Sequence, residues 1–295
     1  MGNESQTVPL VAITGSGGFI GTNLTTYLES VSAPSVSVRA RHESTGLLDF
    51  QGAEVVIHLA GIAHTSHPDE QALWNANALL PLRIAEQARA SGVKQFVFFS
   101  SALVWGSTIS RAQVETKPEP DSGYGRAKMA AETFLDRLRS DTFIVTVIRP
   151  PLVYGPGVRG NLLTLLRAVA RWPYLPFGIT DNRRSLVSVQ NLSAFVHHLL
   201  VHPRQGCFSI TEKEPFSTAD IASNMAEFLP RSGKIIRPPP GSRQILSTLR
   251  PRNAKQLFGS FEIDPDTWED TGFRHPFDRT VGFRTMVKHY LENSF

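Results

Sequence analysis

Apolar positions along the chain fall into two patterns. Short, nearly unbroken runs occur at Val11-Ala12-Ile13, Glu54 to Gly61, Lys94 to Phe99 and Phe143 to Ile148. Continuous apolar runs of roughly four to eight residues mark strands covered on both faces, as in a parallel sheet. A further strand is expected at Ser35 to Arg41. Between the runs lie segments with helical spacing: Thr22 to Leu28, Trp74 to Ala90 ahead of Gly92, and a segment opening at Tyr124 behind Asp121 or Ser122 as cap. Strand and helix alternate from Val8 to Pro150, which predicts an α/β fold with a doubly wound parallel sheet. The second half continues with a helix from Asn161, an apolar turn at Leu175 to Gly178, and a strand opening at Arg183-Arg184. Asn191 is expected to cap a helix over Leu192 to Val201. A late strand or turn at Phe258 to Asp264 and a terminal helix over Val281 to Leu291 follow.

The first strand breaks at Thr14-Gly15-Ser16-Gly17-Gly18-Phe19-Ile20-Gly21 and runs into a helix. Glycines at 15, 18 and 21 permit a tight turn and a close backbone approach, and the free amides of the helix start face an anion such as a phosphate. Strand, glycine turn and helix in this order make the sheet Rossmann-type. Residues 1–156 are expected to form the dinucleotide-binding part, with later returns near 186–210. Residues 157–295 are expected to form a smaller C-terminal α/β substrate-binding region. A glycine pattern alone also fits a packing turn with no ligand.

Composition narrows the classes. Lys plus Arg exceed Asp plus Glu by 30 to 26, with no dense basic run, so nucleic acid is not implied. Cys207 is the single cysteine, so no intrachain disulfide can form, and it reads as core filler. No signal peptide or membrane-spanning run is read, and a cytoplasmic location is expected. His197 and His198 lack a third ligand at metal spacing, so no metal site is expected.

In a dinucleotide fold, the end of the second strand meets the adenosine ribose. Here it carries Arg39 and Arg41 and no acid, which favours the 2′-phosphate of NADP(H) over NAD(H), with NAD(H) still open. Ligands of such sheets sit at the carboxyl ends of strands, where Ser100 and Ser101 end the fourth strand. Tyr124 and Lys128 stand four apart on one helix face. An ammonium beside a phenol stabilises the phenolate and lowers its pKa, making a usable acid or base. Taken singly, such a pair is surface decoration and two serines are a strand end. The order and combination make them specific.

These pieces resemble the extended short-chain dehydrogenases/reductases of the nucleotide-sugar epimerase and reductase group. The matching residues are Thr14 to Gly21, His58-Leu59-Ala60-Gly61, Asn77, Phe99 to Gly106, Tyr124-x-x-x-Lys128 and Arg149 to Pro156, in family order. The resemblance implies that Tyr124 is the general acid/base and that Lys128 binds the nicotinamide ribose and tunes Tyr124. Ser101, not Ser100, would bond the substrate oxygen. Gly15, Gly18, Phe19, Ile20, Gly21, Leu59, Ala60, Gly61, Asn77 and Pro150 would line the cofactor. The family often has Tyr where Trp105 stands, and the His42 to Ala53 segment is short, which leaves the adenine pocket open.

In the second half, the spelling Asn182-Arg183-Arg184-Ser185-Leu186-Val187 resembles bacterial UDP-N-acetyl-6-deoxyhexosamine 4-ketoreductases and epimerases of polysaccharide assembly. By that resemblance Asn161 and Leu162 contact the diphosphate or base, Phe177 the base and Arg184 the phosphates. Arg252 or Arg250 would complete the clamp. Without the resemblance, the two arginines read as a charged loop before a strand. The expected reaction is NADPH-dependent reduction of a UDP-linked 4-keto sugar. A UDP-hexose or UDP-N-acetylhexosamine 4-epimerase with bound NAD uses the same residues. A 4,6-dehydratase would carry an Asp-Glu pair where Ala102-Leu103 stand. A non-catalytic NADP-binding sensor would have lost the Tyr–Lys pair, and a reductase of steroids or flavonoids would not need the arginine clamp. A homodimer through two helices is the default the resemblance implies.

Overall fold

The computed structural model describes residues 9–38, 48–50, 52–63, 69–178, 180, 182–237, 259–264 and 266–294. Arg39, Arg41, Arg250 and Arg252 lie outside the described residues. The central sheet has six strands among the described residues: β1 (Val11–Thr14), β2 (Ser35–Val38), β3 (Val55–His58), β4 (Gln95–Phe99), β6 (Ile144–Ile148) and β10 (Gly206–Phe208). All its pairings are parallel, in the order β10-β6-β4-β3-β1-β2. The winding direction reverses between β1 and β3, which opens a crevice at their carboxyl ends.

Alternate residues of these strands feed two separate cores, as the two-residue repeat of a strand requires. Val11, Ile13, Val55, Ile57 and Val97 pack with Leu24 and Leu28 of α1 (Phe19–Ser30) and with Phe195 of α6 (Val189–Val201). Ala12, Val56, Phe96 and Phe98 pack on the other face with Ile84 of α3 (Leu80–Ala90) and Ala131 of α4 (Gly123–Asp136). The α/β doubly wound expectation therefore holds.

Three local expectations change. The helix read from Trp74 begins earlier, as α2 (Glu70–Trp74), where Asp69 accepts from Gln71 N at 3.0 Å. A π-helical turn (Asn75–Leu79) then leads into α3, whose first turn accommodates Pro81. Helix α6 starts at Val189 and is capped by Ser188, not Asn191. The Ser188 hydroxyl accepts from Asn191 N, while the Asn191 amide side chain turns inward to Glu212 and Phe277 O. Cys207 sits in β10, where burial pushes its thiol up to about 12.

The remaining elements build the C-terminal half. They are β5 (Arg111–Ala112), β7 (Leu152–Tyr154), α5 (Gly160–Arg171), β8 (Tyr174–Leu175), β9 (Leu186–Ser188), α7 (Thr218–Glu227), β11 (Lys234–Ile235), β12 (Glu262–Ile263), α8 (Asp266–Glu269) and α9 (Arg279–Glu292). A third core joins Tyr154, Leu162, Leu166, Phe177, Phe216, Phe283 and Met286. Among the described residues no helix is long and apolar enough to cross a membrane.

Candidate active site

The glycine turn leaves β1 at Gly15, whose φ of 78° suits glycine, and Gly18 N closes it on Gly15 O at 3.0 Å. Gly18 then caps α1 with no side-chain bond, and no acid occupies the first turn. The helix start therefore presents amides and the positive dipole end without a competing anion. Close packing explains two of the glycines. A Cβ at Gly15 would come within 2.6 Å of Ala60 N, and one at Gly21 within 2.2 Å of Gly15 O. The turn thus lies against Leu59 and Ala60 at the end of β3, where Leu59 N also donates to Thr14 O at 3.0 Å.

Gly61 continues this edge toward Asn77. A Cβ there would sit 2.5 Å from Asn77 Oδ1 and 3.7 Å from Lys128 Nζ. Asn77 is buried in the π-helical turn, and its Nδ2 donates to the Ile62 and Leu73 carbonyls, each at 3.0 Å. Its Oδ1 has no partner among the described residues. An orphaned buried acceptor beside a glycine-lined edge and an uncapped helix start fits a dinucleotide with hydroxyl donors.

Three strand-end residues face α4. Lys128 Nζ donates to Phe99 O at 2.8 Å and lies 4.7 Å from the Phe98 ring centroid and 5.8 Å from that of Tyr124. Ser101 Oγ accepts from Leu103 N at 3.2 Å, and its hydroxyl acts on the Tyr124 phenol to favour the phenolate. Ala102 N donates to Pro150 O at 3.1 Å, which fixes the backbone just past Ser101. Ser100 instead turns to Glu132 on α4. The two serines therefore have different partners.

Burial dominates the electrostatics. It pushes Tyr124 up to about 12, opposed by the Ser101 bond, and draws Lys128 down to about 7, opposed by Glu132. The expectation that Lys128 lowers the phenol is therefore corrected. Lys128 is buried against the Phe98 ring and Tyr124 is half-buried, and for each the desolvation of its charged form is the largest cause. His58, fully enclosed and held by Thr14 Oγ1 at 2.7 Å, falls to about 3 by burial and by the Lys128 charge, so it is neutral.

Of the residues expected to meet a sugar nucleotide, Asn161 is exposed in the first turn of α5. Leu162 and Phe177 are buried in the third core, at 3% and 6% exposure, so neither offers an open face. Arg184 is half-buried: its backbone pairs with Phe216, and its Nε donates to Gly259 O at 2.8 Å. Arg183 pairs with Glu262 at the surface. Glu132 and Arg149 went unread in the sequence. Glu132 follows Lys128 by four positions, a spacing that carried the signal, whereas the Arg149 contact is set by tertiary packing.

A Rossmann-type sheet with Ser101, Tyr124 and Lys128 at its carboxyl edge defines an oxidoreductase of the extended short-chain dehydrogenase/reductase type. Residues 11–210 match the NAD dependent epimerase/dehydratase family, and the chain belongs to it. A UDP-glucose 4-epimerase from Vibrio cholerae is 32% identical over 313 residues, spanning 96% of this chain and 95% of that one. A GDP-6-deoxy-D-mannose reductase from Pseudomonas aeruginosa is 25% identical, spanning 79% of this chain and 84% of the other. Among solved structures, RMD from Pseudomonas aeruginosa complexed with NADPH superposes with a TM-score of 0.77 at 21% identity, covering 97% and 100% of the two chains. MoeE5 in complex with UDP-glucose and NAD gives 0.74 at 21% identity, covering 97% and 99%. Both share the fold.

Proposed function

We propose that this enzyme moves a hydride between a nicotinamide cofactor and C4 of a UDP-linked hexose, as an NADPH-dependent reductase of a UDP-4-keto-6-deoxy-N-acetylhexosamine. The observation that carries the reading is Ser101, Tyr124 and Lys128 gathered at the sheet edge beside the glycine turn. The bound nicotinamide supplies or accepts the hydride. Gly15, Gly18, Phe19, Ile20 and Gly21 seat its pyrophosphate, and Leu59, Ala60, Gly61, Asn77 and Pro150 line it. Lys128 and the Asn77 acceptor hold ribose hydroxyls. Ser101 orients the sugar O4, and Tyr124 gives its phenolic proton to that oxygen as the carbonyl is reduced. The Lys128 ammonium offsets the charge left on the phenol. Asn161, Arg184 and Arg252 (or Arg250) engage the diphosphate.

Arg39 and Arg41 favour NADP(H) for this reading. A second reading, a UDP-hexose 4-epimerase that retains NAD, is favoured by the Vibrio cholerae relative, which spans nearly the whole chain. There Tyr124 would take the O4 proton, and the ketone would turn over before the hydride returns.

Incubation with NADPH and the UDP-4-keto sugar tests the first reading, with one NADPH consumed per sugar reduced. Interconversion of UDP-glucose and UDP-galactose with no net change in nicotinamide absorbance establishes the second. Failure of both ends the C4 assignment. Arg39→Asp should shift preference toward NAD, and an unchanged preference removes the NADP(H) argument.

A further inference from the structure

The carboxyl end of β4 meets α4 at three consecutive residues. The Phe99 carbonyl accepts from Lys128, the Ser100 hydroxyl donates to Glu132 Oε1, and the Ser101 hydroxyl acts on the Tyr124 phenol. The three partners stand four residues apart on α4 and so form one stripe. Two of these ties involve groups already assigned to the chemistry. The middle one, Ser100 to Glu132, does not.

Glu132 is also gripped from the end of β6. Arg149 Nε lies 3.0 Å from Oε1 and Nη2 lies 2.6 Å from Oε2, a two-pronged contact. The same guanidinium donates through Nη1 to Val114 O at 3.1 Å and lies 4.9 Å from the Trp105 ring centroid. The two side chains are 8% and 11% exposed. A buried ion pair adds little net stability over a well-packed apolar pair, and its clearest contribution is a fixed geometry. Here that geometry joins the catalytic helix to the two strand ends that carry Ser101 and Pro150.

We propose that Glu132, held by Arg149 and Ser100, is a positioning residue that keeps Lys128 and Tyr124 in register with Ser101. The inference rests on the hydride-transfer reading above. A displacement of about 1 Å at such a site costs on the order of a hundredfold in rate. Glu132 also acts by charge. Among the described residues, the titratable groups facing Lys128 are His58 from β3, and Tyr124 and Glu132 from its own helix. The Phe98 ring, the Phe99 carbonyl and the Asn77 amide are uncharged. His58 is neutral, so Glu132 is the neighbour that favours the ammonium.

The test follows Lys128 directly, by NMR of isotope-labelled lysine, in the full chain as wild type, S100A, E132Q and the double variant E132Q/R149M. In parallel, kcat and KM are measured with the UDP-4-keto sugar or UDP-glucose, whichever the wild type turns over. E132Q should move the Lys128 midpoint to lower pH and cut kcat about 10- to 100-fold, with sugar KM and cofactor affinity within about twofold. S100A should leave the midpoint in place and lower kcat by less. The double variant removes the guanidinium that E132Q strands, so it reports where E132Q fails to fold, and it should keep the lowered midpoint. A wild-type midpoint in either Glu132 variant, or a raised KM with kcat intact, overturns the proposal. Normal turnover by Tyr124→Phe would instead defeat the hydride-transfer reading, while the Lys128 midpoint would still report on Glu132.

Discussion

Lys128 is a cation held where water does not reach, and its function and its stability cost come from the same burial. Its folded pKa of about 7 lies below the ordinary value of 10.5. In that window the unfolded chain binds the extra proton, so stability rises as pH climbs from about 7 to 10.5, and the full penalty applies below 7. Lys128→Met should therefore melt at a higher temperature than wild type at neutral pH. The advantage should shrink toward the alkaline end, while turnover is lost at every pH. Melting curves of the two proteins across that range check it, and an advantage independent of pH would mean the ammonium is not the cause. Tyr124→Phe, by contrast, should keep cofactor affinity, measured by nicotinamide fluorescence, and lose about 10²- to 10⁴-fold in turnover. The pairing of these two residues was legible in the sequence because four positions on a helix is a local rule. The sign of the phenol shift was not, since desolvation depends on tertiary burial, which spacing along one helix does not reveal.

At the scale of elements, the turn between β1 and α1 is a packing device as much as a phosphate seat. Gly21 touches the Gly15 carbonyl and Ser16 Cα so closely that a methyl group would fall 2.2 Å and 2.7 Å from them. Gly17, one turn residue away, faces open space within 4 Å. Gly21→Ala should cost about 1–3 kcal/mol by forcing α1 off the turn and should weaken cofactor binding. Gly17→Ala should do neither. Thermal melts with nicotinamide titration of both variants decide the matter, and equal behaviour of the two would remove the packing account. The glycine pattern was readable because strand, break and helix all lie within about twenty residues. The π-helical turn at Asn75–Leu79 was not readable. An inserted residue blurs the helical period, and it is this insertion that places Asn77 inward beside Gly61. The cap of α6 was misread for a related reason. Ser188 and Asn191 are both good cap residues, and the choice was made by Glu212, which draws the Asn191 amide into the interior.

Across the whole molecule, β7, α6 and α9 are joined at Tyr154, a fully buried residue at the end of β7. Its hydroxyl lies 2.9 Å from the Arg279 carbonyl of α9 and 3.2 Å from Glu212 Oε1, so two acceptors compete for one proton. Glu212 is itself buried, and Oε1 accepts from Ser188 N at 2.9 Å at the start of α6. Burial and this carboxylate both push the phenol pKa upward, so Tyr154 stays protonated and serves as a structural donor. Its ring stacks on Phe283 of α9 at 4.3 Å, and Gly282 leaves room for it, since a Cβ there would fall 2.5 Å from the ring. Tyr154→Phe keeps the ring packing and deletes the donor to a buried carboxylate, a loss of about 1–3 kcal/mol. The melting temperature should fall accordingly. The third core that Tyr154 shares with Leu162 and Phe177 also takes Phe19 from the glycine turn, whose Ile20 packs in the first core. Cofactor affinity should therefore fall along with the melting temperature. Unchanged melting would show that the Glu212 carboxylate is satisfied without the phenol. Unchanged cofactor affinity would show that Phe19 keeps its place without the Tyr154 hydroxyl.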